Sequence, residues 1–391
     1  MPPECQKIMV VAGEASGDMH AASLVKALQR LDTKLRFYGV GGEKLREAGV
    51  ELSANAADMA VVGLTEVFLK LPFILKVMKR LTKSWSVEKP AALILVDYPD
   101  FNLRLARRAH ARGIKVFYYI SPQVWAWRKG RLNTIRDHVD KMAVILPFEE
   151  TLYRQAGIDA DFVGHPLLDM VPPVSTQASA REKIGLPPEI CTVSLLPGSR
   201  PGEVARLLPL CLKAAEEMQR HREIRFVLPL ASTLSPDFVS GIIARHQVKV
   251  SLVSDAIYDV LAASDLAIVA SGTATLEAAL LETPMIVIYR VSRLSYLLGR
   301  MFIQVKNIGL VNIMAGTTIV PELIQGTASP ERIASLATAL LDDPEARTKM
   351  KAALSRIKQQ LGMPGAAERA ARLVGELLKR RNSPGEDKAG I

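Results

Sequence analysis

The chain has 391 residues, more than one hydrophobic core usually holds, so we expect two domains. Hydrophobic residues make up 49% and charged residues 23%, a balance that excludes a disordered protein, and no apolar run reaches the roughly 18–20 residues of a membrane span. The net charge of +10 predicts an anionic partner, either nucleic acid, an anionic membrane surface or a phosphorylated substrate.

Short apolar runs alternate with helical patterns along the chain, which predicts parallel sheets covered by helices on both faces. The predicted strands are 8–12, 35–40, 93–97, 116–120 and 142–146, then 192–196, 224–228, 248–253, 266–270 and 285–289. A proline-rich stretch separates the two groups. We therefore predict an N-terminal domain (1–165), a linker (166–190), a second domain (191–365) and a C-terminal helix and tail (366–391). Two doubly wound α/β domains would place a crevice at the carboxyl ends of both sheets.

The first strand runs into Gly13-Glu14-Ala15-Ser16-Gly17-Asp18. This turn matches neither a Walker A loop nor a dinucleotide fingerprint. Its short polar residues either face the crevice or simply cap the next helix, with Ser16 or Asp18 as N-cap. The strand 93–97 ends in Asp97, at the sheet edge where ligands bind in this architecture, so Asp97 is a candidate functional carboxylate. Asp100 is interpreted as a helix N-cap.

The segment 59–85 is predicted as an apolar and basic helix, which Pro72 would kink or restart. Its apolar stripe faces either the core or a membrane surface that admits acyl chains, and the excess of lysine favours the membrane. The stripe includes Leu64, Phe68 and Leu71.

Two tryptophans and three cations stand together in the segment 118–131. Aromatic rings beside cations suit sugar stacking and phosphate contact, or single-stranded nucleic acid, although a tryptophan pair can also pack one helix end. The residues concerned are Trp125, Trp127, Arg128, Lys129 and Arg131.

In the second half, two apolar strands each run into a small-residue turn that opens a helix. The first turn is Pro197-Gly198-Ser199-Arg200, and the second is Ser271-Gly272-Thr273, followed by Glu277. Small residues let backbone N–H groups approach an anion, Arg200 suits phosphate oxygens and Glu277 suits ribose hydroxyls. The pair predicts a nucleotide-diphosphate site. Asp159-Ala160-Asp161 matches the metal-binding motif of some glycosyltransferases but lacks further clustered carboxylates, so we expect no metal and no other cofactor.

Taken together, these motifs resemble the lipid-A-disaccharide synthase family, membrane-associated inverting glycosyltransferases of the GT-B fold. The residues that carry the resemblance are 13–18, 97–102, Ile120-Ser121-Pro122-Gln123-Val124-Trp125-Ala126-Trp127-Arg128, Leu146-Pro147-Phe148-Glu149, Gly164-His165-Pro166, 196–200, 270–277, Pro284-Met285, Tyr289-Arg290 and Asn312. The chain departs from the family at 315–318, where Ala-Gly-Thr-Thr replaces the usual Ala-Gly-Arg-Glu.

The resemblance implies transfer of 2,3-diacylglucosamine from UDP to 2,3-diacylglucosamine 1-phosphate, forming the β-1,6 disaccharide of lipid A and releasing UDP. The second domain would bind UDP through Gly198, Ser199, Arg200, Ser271, Gly272, Thr273, Glu277 and Asn312. Asp97 is the first candidate for the base and Glu14 the second. The 125–131 cations would meet the acceptor phosphate, and the helix from Leu64 onward its acyl chains.

The expected location is the cytoplasm, with peripheral attachment to the anionic inner-membrane surface. No nucleic-acid partner is expected, and a homo-oligomer is compatible with the sequence. Two alternatives stay open at this point. One is another UDP-sugar enzyme of the same architecture, such as a UDP-GlcNAc epimerase. The other is a non-enzymatic binder of anionic membranes or nucleic acid, suggested by the charge.

Overall fold

The computed structural model describes residues 6–59, 64–125, 130–172, 176–292 and 307–379, without the side chains of 57 and 64–70. The chain forms two compact units. The first consists of Met1–Pro166 together with Gly362–Ile391, and the second is Leu167–Leu361. The first unit is therefore discontinuous in sequence, whereas the second is one continuous segment.

The first unit is built on a parallel sheet of seven strands in the order β3-β2-β1-β4-β5-β6-β7. These strands are β1 (Lys7–Ala12), β2 (Arg36–Gly41), β3 (Glu51–Asn55), β4 (Ala92–Val96), β5 (Lys115–Tyr119), β6 (Lys141–Val144) and β7 (Ala160–Phe162). Its described helices are α1 (Ala15–Leu31), α2 (Glu43–Glu47), α3 (Ala56–Met59), α4 (Leu64–Glu88), α5 (Pro99–His110), α6 (Arg131–His138), α7 (Pro147–Gln155) and the C-terminal helix Ala366–Lys379.

β4 and residues 8–12 of β1 are apolar and buried because helices cover both faces of the sheet there. Alternate residues of a strand point to opposite faces, so Met9 and Val11 enter one hydrophobic cluster and Ile8 and Val10 enter the other. The first cluster includes residues of α4 and α5, and the second includes residues of α1 and of the C-terminal helix. The sheet is thus buried between two helical layers.

The second unit repeats this plan with a six-stranded parallel sheet in the order β10-β9-β8-β11-β12-β13. These strands are β8 (Cys191–Leu196), β9 (Ile224–Leu230), β10 (Val250–Ser254), β11 (Leu266–Ala270), β12 (Met285–Tyr289) and β13 (Glu322–Ile324). Its described helices are α8 (Leu167–Met170), α9 (Gln177–Lys183), α10 (Pro201–Gln219), α11 (Pro236–Ile243), α12 (Ile257–Ala263), α13 (Ala274–Leu280), α14 (Leu310–Ala315), α15 (Pro330–Asp342) and α16 (Pro344–Gln360).

The structure differs from the sequence prediction in the segment 166–190. Two helices, Leu167–Met170 and Gln177–Lys183, belong to the second unit instead of forming a separate linker. The Arg181 side chain is buried and pairs with Asp265 at 2.8 Å, while its Nε donates to the Ala263 carbonyl. Proline content predicted a linker here, but this ion pair fixes the segment to the body of the second unit.

The C-terminal helix Ala366–Lys379 packs on α1 of the first unit. Its apolar stripe of alanines, Val374 and Leu377 is buried there. In addition, Arg369 donates to the Val163 carbonyl at 2.8 Å and so fixes the helix to the end of the β7 segment. A helix that follows the second domain in sequence therefore completes the first unit.

The helix Leu64–Glu88 is continuous through Pro72, which the sequence predicted to kink or restart it. Its carboxyl-terminal half buries Val77, Leu81 and Trp85. Among the described residues, no helix combines the length and the apolar character needed to cross a bilayer.

Candidate active site

Each sheet reverses its strand order beside its first strand, and ligands bind at such switch points in open α/β sheets. In the first unit the reversal lies between β1 and β4, where Ala12 pairs with Val96. Glu14 and Asp97 follow these two strands directly. In the second unit the reversal lies between β8 and β11, which precede the turns 197–200 and 271–273. The predicted residues of each unit therefore meet at one edge of their own sheet.

Asp97 stands in a backbone conformation that is uncommon for residues other than glycine. Asp97 and Tyr98 have φ angles of 47° and 46°, two successive non-glycine residues in the left-handed region. Such a conformation costs on the order of 1–3 kcal/mol per residue and persists only where surrounding contacts fix it. The turn after β4 is therefore held by its neighbours.

Two buried side chains hold this turn through the Asp97 carbonyl. Tyr118 donates its hydroxyl to that oxygen at 2.6 Å, and Asn102 donates its amide at 2.8 Å. Asn102 is fully buried and also reaches the Val96 carbonyl at 3.2 Å. Since Asn102 lies on the first turn of α5 and Tyr118 on β5, two elements fix the backbone that carries the Asp97 carboxylate.

The Tyr98 ring explains the glycine of the first turn. The ring lies against Gly13 so closely that a Cβ there would collide with it. The Tyr98 hydroxyl donates to the Met59 carbonyl at 3.1 Å, which fixes the ring in place. Gly13 therefore permits close packing between the turn after β1 and the turn after β4. The sequence alone did not reveal this reason for a glycine.

The structure corrects the capping interpretations of the first unit. Glu14 occupies the N-cap position of α1, and neither Ser16 nor Asp18 caps that helix. Instead, the buried Asp18 carboxylate accepts the N–H groups of Gly42, Lys44 and Leu45 at 2.6, 2.9 and 3.2 Å, and so caps α2. Asp18 is thus structural, while Glu14 is half-buried at the sheet edge.

Asp100 likewise has another partner than predicted. Helix α5 begins at Pro99 with Tyr98 as N-cap and no side-chain cap. The Asp100 carboxylate pairs with Arg131 at 2.5 Å, and this Arg131 side chain is mostly buried. An acceptor phosphate at Arg131 would therefore compete with an existing ion pair.

The aromatic and basic segment is described as far as Trp125 and again from Gly130. Trp125 donates its indole N–H to the Glu149 carboxylate at 3.0 Å and packs edge-to-face on Phe148 with ring centroids 5.4 Å apart. The predicted acceptor residues Trp127, Arg128 and Lys129 lie outside the described residues.

The amino-terminal half of α4 carries apolar side chains on the surface. Leu71, Phe73 and Leu75 are 37%, 39% and 49% exposed. They are followed by exposed cations at Lys76, Lys79, Arg80 and Lys83. The side chains of Leu64 and Phe68 lie outside the described residues. Leu71 and Leu75 are one turn apart and share a face, and an exposed apolar face beside cations is typical of a membrane-surface helix.

The first turn of the second unit is held by contacts from two directions. Gly198 has φ +113°, and a Cβ there would collide with the Glu203 carboxylate, which accepts the Ser199 N–H. Thr233, after β9, donates its hydroxyl to the Ser199 carbonyl at 2.6 Å. Burial raises the pKa of Glu203 above its ordinary value, while Arg200 and Arg206 oppose that rise. Both backbone groups of Ser199 therefore already have protein partners, and Arg200 is the one cationic side chain of the turn 197–200.

The second turn presents an open surface. A Cβ at Gly272 would meet no atom within 4 Å among the described residues. The Ser271 N–H donates to the Ile288 carbonyl and its hydroxyl to the Ile308 carbonyl at 2.9 Å. In the described part of the chain, no acceptor is found for the N–H groups of Gly272 and Thr273. These two amides, next to the start of α13, are the donors that the turn leaves available.

Glu277 lies one turn into α13 and is largely removed from solvent. Burial raises its pKa to about 7, opposed by a hydrogen bond from the Tyr258 hydroxyl. Tyr258 comes from α12, and its own pKa is raised by burial and by the Glu277 charge. The tyrosine thus orients the carboxylate that the sequence assigned to ribose.

Asn312 requires a correction, because the UDP contact predicted for it has no free hydrogen-bonding position. Its amide donates to the Val320 carbonyl at 2.9 Å and to Glu322 at 2.7 Å. Its carbonyl accepts the N–H groups of Ile319 and Val320 at 2.8 and 3.0 Å. An asparagine side chain has two donors and two acceptor sites, and all four are used. The fully buried Asn312 therefore stabilises the segment that provides the Ile308 carbonyl to Ser271.

Sequence reasoning did not predict which side chains support the site, namely Tyr98, Asn102, Tyr118, Glu149, Glu203, Thr233 and Tyr258. Tyr98, Asn102 and Glu149 stand in motifs that carry the family resemblance, but no supporting role was predicted for them. Only Glu203 carried a local signal, since an acidic residue at the third position of a helix commonly reaches back to the preceding backbone. The others act across strands or helices that are distant in sequence.

Comparisons with known proteins agree with this arrangement. A family model described as lipid-A-disaccharide synthetase matches residues 8–374. The chain is 58% identical to the lipid-A-disaccharide synthase of Syntrophus aciditrophicus (strain SB), over 95% of this chain and 98% of that protein. It is 47% identical to the lipid-A-disaccharide synthase of Geobacter sulfurreducens, over 95% and 97%.

Solved structures resemble the chain in fold at low sequence identity. A putative UDP-N-acetylglucosamine 2-epimerase from Listeria monocytogenes superposes with a TM-score of 0.66 at 15% identity, over 98% of this chain and 99% of that one. MurG from Acinetobacter baumannii gives 0.59 at 13% identity, over 95% and 99%. The two doubly wound units are thus those of the GT-B fold.

Proposed function

The chain belongs to the lipid-A-disaccharide synthase family, and from this premise we propose how its residues carry out the transfer. It is a glycosyltransferase of lipid A biosynthesis that uses a UDP-sugar donor and a lipid acceptor. In the proposal, the donor is UDP-2,3-diacylglucosamine and the acceptor is 2,3-diacylglucosamine 1-phosphate. The products are UDP and the β-1,6-linked disaccharide 1-phosphate.

The second unit binds the donor in this proposal. Negative charge develops on the leaving diphosphate during the transfer, so fixed positive groups must stabilise it. Arg200 contacts the diphosphate with its forked guanidinium, and the open amides of Gly272 and Thr273 add hydrogen bonds. The Glu277 carboxylate, oriented by Tyr258, accepts hydrogen bonds from the ribose hydroxyls. This set stabilises UDP as it departs.

The first unit binds the acceptor and provides the base. The 6-hydroxyl oxygen attacks the anomeric carbon of the donor sugar while the bond from that carbon to the diphosphate oxygen breaks. The bonding electron pair leaves with UDP, and the hydroxyl proton passes to a carboxylate. We assign this carboxylate to Asp97, with Glu14 as the second candidate and as an orienting ligand of the sugar. The fixed backbone of Asp97 supports the assignment, since a base must be held in position.

The helix Leu64–Glu88 attaches the enzyme to an anionic membrane surface in the same proposal. Leu71 and Leu75, which are one turn apart on the same face, enter the bilayer interface, and the lysines that follow bind lipid phosphates. Leu75→Ser is expected to weaken binding to phosphatidylglycerol vesicles in a sedimentation assay. Leu31→Ser is the matched control, because Leu31 is an exposed leucine of α1. Equal binding by both variants would refute the membrane role of this helix.

The observation that carries the proposed reaction is the position of Asp97 and Glu14 at the switch point of the first sheet. The test combines the diacylated donor with the monosaccharide lipid phosphate in detergent micelles. Mass spectrometry is expected to find the disaccharide 1-phosphate, with UDP released only when the acceptor is present. Release of UDP from UDP-GlcNAc without an acceptor, or conversion of that sugar to an epimer, would favour the epimerase alternative.

A further inference from the structure

The loop after β5 rests on a buried carboxylate from α7. Glu149 is 2% exposed, and its two oxygens accept the Trp125 indole N–H at 3.0 Å and the Leu146 N–H at 3.3 Å. The Trp125 ring also packs edge-to-face on Phe148, which precedes Glu149 in α7. One short helix thus holds the loop by a hydrogen bond and by ring packing.

A carboxylate in this place is costly for the fold. Burial raises the pKa of Glu149 to about 7, although the Trp125 and Leu146 N–H donors act in the opposite direction. The hydroxyls of Ser121 and Tyr153 face the same space, and the Tyr153 hydroxyl donates to the Pro122 carbonyl at 2.8 Å. The Glu149 charge in turn helps to raise the pKa of Tyr153, and Arg131 acts against that rise. An apolar side chain would avoid the cost, so the carboxylate has a role beyond packing.

We propose that Glu149 is a positioning residue for the acceptor, acting through its hydrogen bond to the Trp125 indole. The bond fixes Trp125, a half-buried residue that the sequence assigned to acceptor binding. The inference rests on the proposed function, in which the first unit binds the acceptor. Glu149 itself touches neither substrate.

Ionisation of Glu149 changes the strength of the hydrogen bonds that it accepts from Trp125 and Leu146. The ionised carboxylate accepts both N–H groups, and hydrogen bonds to a charged acceptor are the stronger kind. The protonated group keeps one free oxygen and turns its other oxygen into a donor, so one of the two bonds is lost. The acceptor KM is therefore expected to fall as the pH rises through about 7.

The kinetic test compares Glu149→Gln, Trp125→Phe and the double variant at pH 8. Loss of one hydrogen bond to a charged group is expected to raise the acceptor KM about 10-fold in each single variant, with the donor KM unchanged. The double variant is expected to equal the single ones, because both remove the same bond. The matched control is Glu150→Gln, which removes the same charge from the neighbouring residue, whose carboxylate pairs with Arg154. Acceptor KM values within twofold of wild type in both single variants, or additive effects, would overturn the proposal.

A spectroscopic titration tests the bond without any substrate. The tryptophan emission of the wild-type enzyme is expected to change with a midpoint near pH 7, and both Glu149→Gln and Trp125→Phe are expected to abolish that change. If the emission of Glu149→Gln still changes near pH 7, the proposal is overturned. Trp125→Phe keeps the carboxylate in place and so provides a second test if Glu149→Gln is less stable. If wild-type enzyme releases no UDP with the glycolipid, the proposed function fails, whereas this titration still decides the role of Glu149.

Discussion

The two switch points of this enzyme occupy the same place in two similar sheets but are built from different residues. In the first unit the turn after β4 consists of non-glycine residues in left-handed conformations, fixed by Asn102 and Tyr118. In the second unit the corresponding turn contains Gly272, whose surface is open and whose neighbouring N–H groups face no acceptor among the described residues. Topology therefore sets where a ligand meets the sheet, and the turn residues set the chemistry.

The difference follows from what each half of the reaction needs. A general base is a single side chain that must be held in position. For the proposed base Asp97, buried neighbours and a strained backbone hold it there. A diphosphate needs several donors at once, which glycine turns provide by exposing backbone amides. The comparison predicts that changes in the first unit alter turnover and changes in the second alter donor binding.

The largest effect is expected from Asp97→Asn. Loss of a general base lowers kcat by about 10²–10⁴-fold, while the Kd for UDP is expected to stay at its wild-type value in calorimetry. Glu14→Gln is measured beside it, and the larger loss of kcat identifies the base. Asp159→Asn is the matched control, because Asp159 pairs with Lys141 away from the switch point. A wild-type kcat in Asp97→Asn would remove Asp97 from the mechanism.

An effect of intermediate size is expected from Arg200→Ala. Removal of a charged hydrogen-bond donor should raise the Kd for UDP about 10–100-fold and leave the acceptor KM unchanged. Arg200→Lys should recover only part of the affinity, since lysine lacks the fork. Arg220→Ala, at the other end of the same helix, provides the matched control. A larger change in acceptor KM than in UDP affinity would break the division between the units.

The smallest effect concerns the pH dependence of donor binding. Because burial raises the pKa of Glu277 to about 7, the carboxyl is mostly protonated at pH 6 and mostly ionised at pH 8. An ionised group accepts ribose hydroxyls more strongly, so the donor KM is expected to fall about fivefold over this interval. Glu277→Gln is expected to remove this dependence, and a pH profile of kcat/KM for the donor measures both.

The same group affects stability with the opposite sign. A carboxyl whose pKa is higher in the folded state than in the unfolded chain favours folding at low pH, and this contribution is lost as the pH rises through about 7. Thermal unfolding should therefore show Glu277→Gln gaining stability relative to wild type between pH 6 and pH 8. A parallel shift of both proteins would contradict the buried state of Glu277.

The sequence predicted the central strands well because they are buried on both faces and apolar throughout. It missed β3, β7 and β13, and all three are edge strands of their sheets. Edge strands are short and partly polar, so their pattern resembles that of a loop. The predicted linker failed for a related reason, since the pairing of Arg181 with Asp265 depends on residues 84 positions apart.

Residues of the candidate site could be predicted where a local sequence motif contains them. The carboxylates after β1 and β4 and the two glycine turns were identified from their positions at strand ends. The supporting contacts were not, because Tyr118, Thr233 and Tyr258 reach the site from other strands and helices. Asn312 shows the limit most clearly. Its place in a motif suggested a ligand contact, but only the fold reveals that its four hydrogen bonds are already made.

The discontinuous first unit has a consequence for synthesis on the ribosome. Residues of the second unit, Leu167–Leu361, all leave the exit tunnel before the helix Ala366–Lys379 that completes the first unit. The unit that emerges first is therefore the last to close its core, and the apolar face of α1 stays uncovered until this helix has emerged. Premature termination near residue 360 would therefore impair the first unit while sparing the second.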